Sequence, residues 1–344
     1  MRLAVGLRAI NTANPSPVGY LELARAAERS GCETIWAPEL RSTDPFALLG
    51  WVGSRTSSVG LGCAVAQISA RSAVAMASGA LTLNGLSGGR FRLGLGVSGP
   101  QVVEGWHGRS YDNPLTHLRE YLTVIRMALD GELIRFSGRE INLPLPSARD
   151  DVTPLAFPKS SLPLPVHLAG IERNAVALAG ELADGWIAIH CPPDYMATAR
   201  SWLNEGAARS GRSLDGFVTS VEVICSVDED EDLARDVARP TLALYLGGMG
   251  TRRTNFYNRL AAKLGFGAAA AAVRDAYLAG HIGDAIAMVD DSLLDAMTVC
   301  GSPEQVREKL AAYRKADVDA VIVGLPSPSY RAQIDQIELI STLF

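Results

Sequence analysis

Short apolar, β-branched runs alternate with longer amphipathic stretches along this chain of 344 residues, and that alternation limits the fold more than any other feature. The pairs are Leu3 to Leu7 with Val18 to Arg29, Thr34 to Trp36 with Asp44 to Arg55, and Val59 to Cys63 with Ser72 to Leu86. Phe91 to Leu95 is followed by Leu115 to Leu129, Val166 to Leu168 by Asn174 to Leu182, and Trp186 to Ile189 by a helix running through Arg200. Phe217 to Cys225 begins a seventh unit and Ala320 to Val323 completes an eighth, with Ser302, Pro303 and Gln305 forming a capped helix start before that last strand. This is the grammar of repeated βα units. Eight parallel strands with helices between them predict an α/β fold, a (β/α)8 TIM barrel with insertions.

Two segments exceed the minimal unit. Glu132 to Lys159 is proline-rich and contains the alternating IRFSGREINL, which reads as an excursion with a small hairpin; Gly247 to Asp290 is helical and alanine-rich, including GFGAAAAAVRDAYLAG. Neither has the charge runs of a disordered tether, so the sequence reads as one domain over 1–344 with insertions at about 132–160 and 247–290.

Composition narrows the function classes. A hydrophobic fraction of 48% supplies a sizeable core, and a net charge of −5 without a basic run disfavours nucleic acid or an anionic membrane as partner, leaving small-molecule substrates. The five cysteines are far apart with no CxxC pair, which suggests reduced, mostly buried thiols. The five histidines show no HxH or HExxH spacing and no carboxylate cluster offers a divalent site, so no metal is expected. A GxSxG elbow and a P-loop are absent, and no apolar run reaches about twenty residues, so a soluble cytoplasmic protein is expected.

The stretch GRFRLGLGVSGP, Gly89 to Pro100, spells GxGxxG at Gly94, Gly96 and Gly99. A dinucleotide turn would need a helix opening at the third glycine and an acid about twenty positions on. Pro100 and the following QVVEGWHGRSYDNP read instead as an irregular loop with no helix start. The narrower inference is a buried strand ending in a backbone-exposing loop.

In a barrel, chemistry gathers at the C-terminal ends of the strands. Those ends carry Arg8 to Asn14, then Glu39, then Ala64, Val65, Ala66 and Gln67, then Ser98 and Gly99, then Ala169 to Asn174, and finally His190. Small and apolar residues dominate, which suits a reaction whose difficult step belongs to an organic cofactor. Ala169, Gly170 and Ile171 lead into a helix and read equally as an anion site or a plain turn. Arg71, Arg252 and Arg253 face an anionic tail or are surface charges. Glu39 reads as a proton relay, a ring acceptor or half of a salt bridge. Trp106 and His107 wall a substrate pocket or anchor a loop, and His190 is a substrate-facing titrating group or a structural histidine.

LSGGRFRLGLGVSGPQVVEGWHG, LPVHLAG, ELADGWIA, SVGLGCAVAQISAR, LGGMGTRRTNFYNRLAAKLGF and GSPEQVREKLAAYRKADVDAVIVGLP together closely resemble the bacterial luciferase-like family, and within it the deazaflavin (coenzyme F420)-dependent oxidoreductases. The resemblance implies a TIM barrel with the ring in its mouth, backed by a bulge with a non-prolyl cis peptide at Ala64–Val65. It also implies phosphate-binding positions at Ser98, Gly99, Ala169, Gly170 and Ile171, and a homodimer. The implied activity is hydride transfer between coenzyme F420 and a small organic substrate, with Glu39 as proton-handling or ring-contacting group. The alternatives are an FMN-dependent monooxygenase of the same fold and a non-catalytic flavin-binding barrel. Sugar-phosphate dehydrogenases of the family carry an acid followed by histidine after the second strand; here Glu39 is followed by Leu40, and the gripping lysines lack counterparts, so that substrate is not expected.

Overall fold

The computed structural model describes residues 1–7, 16–39, 43–149, 152–327 and 329–344. Arg8 to Asn14 and Leu40, singled out above, lie outside the described residues. Eight parallel strands close into a barrel in the order of the chain: β1 (Arg2–Gly6), β2 (Thr34–Ala37), β3 (Gly60–Cys63), β4 (Phe91–Gly96), β5 (Val166–Ala169), β6 (Gly185–Ile189), β7 (Val218–Val227) and β8 (Ala320–Gly324). The ring closes where Arg2 of β1 pairs with Ala320 of β8. Long helices cover it outside: α1 (Pro17–Arg29), α2 (Pro45–Gly53), α3 (Ala73–Leu86), α4 (Pro114–Asp130), α5 (Arg173–Leu182), α6 (Pro193–Ser210), α7 (Glu231–Ala243), α8 (Pro303–Lys315) and α9 (Tyr330–Ser341).

Strand parity divides the core in two. One set of side chains, among them Val5, Ile35, Leu61, Leu93, Val221 and Val323, packs outward beneath the helices. The other points inward, where Ala4, Trp36, Ile187 and Ile322 gather with Ala64. Large inward groups fit because their neighbours give way: a Cβ on Gly62 would collide with the Trp36 indole, and one on Gly185 with the His167 ring. The barrel is thus a filled core, and its upper end is left to the loops.

The excursion after α4 contains the expected hairpin, Phe136–Ser137 against Asn142–Leu143. The alanine run forms a helix, Gly267–Leu278. Three elements differ from the sequence reading. A strand at Thr298–Gly301, not foreseen, pairs with the distal half of β7, from Ile224↔Thr298 to Val227↔Gly301. Ala66–Gln67 forms a short strand on β4. A four-residue helix, Pro100–Val103, opens at Gly99 where an irregular loop was expected; Pro100 at its first position has no N–H to waste and a preset φ. That short turn sits on a barrel strand, so the dinucleotide reading still fails on topology. Among the described residues all five cysteines are buried and free, and no helix is long and apolar enough to cross a membrane.

Candidate active site

The first wall of the site is a bulge. The ladder between β2 and β3 ends at Ala37↔Cys63, and Ala64 N–H still donates to Ala37 O at 3.0 Å. The Ala64–Val65 peptide is cis, and beyond it the chain moves onto β4, pairing Ala66 with Leu95 and Gln67 with Gly96. This lateral step needs room on β4. A Cβ on Gly94 would overlap the Cys63 carbonyl, and one on Gly96 would lie 2.6 Å from Val65 Cγ2. The two glycines are therefore the surface on which the bulge rests.

Having left β2, Gln67 loses the neighbour that would accept its amide, and Glu39 replaces it. Glu39 Oε2 accepts from Gln67 N–H at 2.6 Å, Glu39 N–H donates to Val65 O at 3.2 Å, and Gln67 Nε2 donates to Glu39 O at 2.9 Å. The other carboxylate oxygen accepts from Arg71 Nη2 at 2.8 Å, and the same nitrogen reaches Asp44 Oδ2 at 2.7 Å. Burial pushes the Glu39 carboxyl up, against the opposing pull of the Gln67 amide and the Arg71 charge. Arg71 is thereby tied to both carboxylates through Nη2 and stacked on Phe46, while its Nη1 is buried without a hydrogen-bond partner among the described residues.

The second wall follows β4. Ser98 adopts φ 60°, its carbonyl accepts from Tyr111 Oη at 3.1 Å, and Gly99 caps the short helix. From the same loop, His107 Nε2 lies 3.2 Å from Gln67 Oε1. A shallow cleft open to solvent lies beside it between Ile68, Ser69, Val97, Tyr111, His117 and Glu140.

The third wall is the turn from β5 into α5. Trp186 Nε1 donates to Gly170 O at 2.8 Å and Tyr195 Oη to Ile171 O at 2.8 Å, so two of its carbonyls are tied back into the protein. Gly170 also packs where a Cβ would lie 2.6 Å from that of Ala175. Glu172 occupies the cap position of α5 without capping it; its carboxylate goes instead to Arg259 Nε at 3.2 Å and Lys263 Nζ at 2.9 Å. No side chain therefore caps α5, and the positive end of its dipole faces the turn.

Glu39, Ala64 and Val65 thus meet in one network, and Ser98 is joined to it through the loop that carries His107. Of the aromatic pair, His107 holds the network whereas Trp106 is 53% exposed. His190 is buried at φ 56°, its ring edge-on to Tyr245 at 4.3 Å and tilted against Tyr257 at 5.8 Å. Arg252 pairs at the surface with Asp275. Gln67, Tyr111, Arg259 and Lys263 were not singled out for roles; their partners lie between 13 and 91 positions away, and no local pattern marks them.

The chain is similar, at 36% identity over 314 residues and 89% of its length (90% of the relative's), to a protein of Mycobacterium tuberculosis named as a coenzyme F420-dependent oxidoreductase. It is 28% identical over 311 residues to a 5,10-methylenetetrahydromethanopterin reductase of Archaeoglobus fulgidus, covering 89% of this chain and 90% of that one. Its fold resembles that of the coenzyme F420-dependent tetrahydromethanopterin reductase of Methanopyrus kandleri with a TM-score of 0.81 at 22% identity, over 99% of this chain and 97% of the other. Residues 4–320 match the luciferase-like monooxygenase family. With the barrel closed, the bulge in place and that match spanning nearly all of it, the chain belongs to the luciferase-like monooxygenase family.

Proposed function

We propose that the chain is a coenzyme F420-dependent oxidoreductase that transfers a hydride between the deazaflavin and a small organic substrate. The observation that carries this reading is the glycine surface of β4: with no side chain at Gly94 or Gly96, the Ala64–Val65 bulge is pressed flat against the strand and offers a backbone shelf fit for a planar ring. The relative at 36% identity, covering 89% of the chain, supports the choice of cofactor. In this reading Ala64 and Val65 back the ring. Ser98 and Gly99, with Ala169, Gly170 and Ile171 at the start of α5, which carries no side-chain cap, hold its anionic arm, where the helix dipole favours negative charge. When bound, coenzyme F420 supplies two-electron hydride chemistry.

The chain's own contribution is orientation and proton management. Glu39 fixes the bulge through the Gln67 amide, and its upward-shifted carboxyl is the candidate for proton handling. Trp106 and His190 are the candidates for the substrate side; Trp106 is exposed, where substrate would cover it, while His190 would act through the tyrosines packed on it. Both excursions, at about 132–160 and 247–290, belong in this reading to one domain, and the working unit is a cytoplasmic homodimer. Titrating the purified protein in parallel with coenzyme F420 and FMN tests the cofactor. Saturable quenching of deazaflavin fluorescence is expected; tight FMN binding without a deazaflavin response would overturn the reading in favour of a flavin monooxygenase.

A further inference from the structure

We propose that Gln67 is a positioning residue that couples the Ala64–Val65 bulge to the loop after β4, with His107 as its counterpart on that loop. The inference rests on the reading above in one respect: the bulge and Ser98–Gly99 are taken to hold the same cofactor.

Gln67 is 9% exposed and uses its backbone N–H and both ends of its amide. The N–H goes to Glu39 Oε2 at 2.6 Å, Nε2 to Glu39 O at 2.9 Å, and Oε1 faces His107 Nε2 at 3.2 Å. The assignment is fixed by chemistry. A backbone carbonyl only accepts, so the nitrogen end of the amide must point to Glu39, its oxygen must point to His107, and His107 must carry a proton on Nε2. The loop is closed on both sides of this contact: His107 N–H donates to Val102 O at 3.1 Å, Arg109 N–H to Val103 O at 3.0 Å, and Tyr111 Oη to Ser98 O at 3.1 Å. Arg71 holds the far end by binding Glu39 and Asp44 together. The ladder of Ala66 and Gln67 on β4 joins the bulge to the base of that loop, and the Gln67 side chain adds a second link to its far side, at His107, so that the two walls of the site keep a fixed spacing.

The test uses wild type, Gln67→Leu, His107→Phe and His107→Gln, the last of which keeps an N–H donor of similar reach. Three quantities are measured: Tm, amide deuterium exchange over residues 98–113 in the cofactor-free protein, and the Kd for coenzyme F420 from fluorescence quenching. His107→Phe is expected to speed exchange over 98–113 about tenfold and to raise Kd about tenfold, the size of one lost hydrogen bond, with Tm lowered by only about 2–4 °C, and Gln67→Leu, which loses both side-chain bonds, is expected to change all three by at least as much. His107→Gln is expected to return exchange and Kd to within about threefold of wild type. Unchanged exchange in His107→Phe, or a His107→Gln as defective as His107→Phe, overturns the proposal. Should Gln67→Leu not fold, the two His107 variants decide alone. A wild type that fails to quench the deazaflavin sinks the cofactor reading, while the exchange arm still decides the coupling.

Discussion

Gly94 shows how closely a single hydrogen in place of a methyl can govern the site. A Cβ there meets the Cys63 carbonyl, which is backbone and cannot rotate away, so Gly94→Ala is expected to cost about 3 kcal/mol in urea unfolding and to abolish cofactor binding. Gly96→Ala meets only the tip of Val65, so its stability loss should be smaller while its cofactor affinity still falls. The sequence displayed these glycines plainly, but as a motif with two readings; what approached them was invisible, because the bulge comes from a separate strand. His167 is the second case. Its ring is buried edge-on to Trp36 at 5.7 Å, and Nδ1 finds no partner among the described residues. Burial, with Arg92 adding to it, lowers its pKa from 6.5 to about 4. The unfolded chain therefore binds a proton that the folded one refuses: the stabilisation is complete above pH 6.5 and is lost as pH falls toward 4. His167→Gln should remove up to about 3 kcal/mol of the difference between unfolding free energies measured at pH 7.5 and pH 4.

Among the elements, α8 was readable to the residue, because Ser302, Pro303 and Gln305 form a local code. Gln305 Oε1 accepts from Ser302 N–H at 3.2 Å, completing the reciprocal cap. Ser302→Ala should cost about 1 kcal/mol and lower Tm by about 2–4 °C in calorimetry. The hairpin 136–143 was visible from its alternation, but the anchor was not. Glu120 of α4 accepts the N–H groups of Arg139, Glu140 and Ile141 at 2.7, 2.8 and 2.8 Å, and although burial raises its pKa, these amides prevail and lower it. Glu120→Ala should leave the barrel folded while making residues 136–143 the first site of limited proteolysis. The strand Thr298–Gly301 escaped notice because the helix Asp291–Met297 runs straight into it, with no glycine or proline to mark the boundary. The helix at Pro100 escaped for the opposite reason, its four residues lying among glycines that signal a loop.

Across the whole molecule, the barrel was legible because each strand and helix declares its own period within a few residues, and eight repeats leave one closed arrangement. The site was legible only in part. Its backbone elements lie at strand ends, where the topology puts them, and resemblance supplied their roles; the cross-links between them, Glu39 to Gln67, Gln67 to His107 and Glu172 to Lys263, join residues 28, 40 and 91 positions apart and leave no periodic trace. The first two set the spacing of the bulge and the loop after β4, and the third ties the turn before α5 to the insertion at about 247–290. The decisive measurement is a crystal structure of the protein soaked with coenzyme F420. Density for the deazaflavin ring lying on Ala64 and Val65, with the phosphate at Ser98–Gly99 and Ala169–Ile171, is the expected result; ring density elsewhere in the barrel, or none at saturating cofactor, would contradict it.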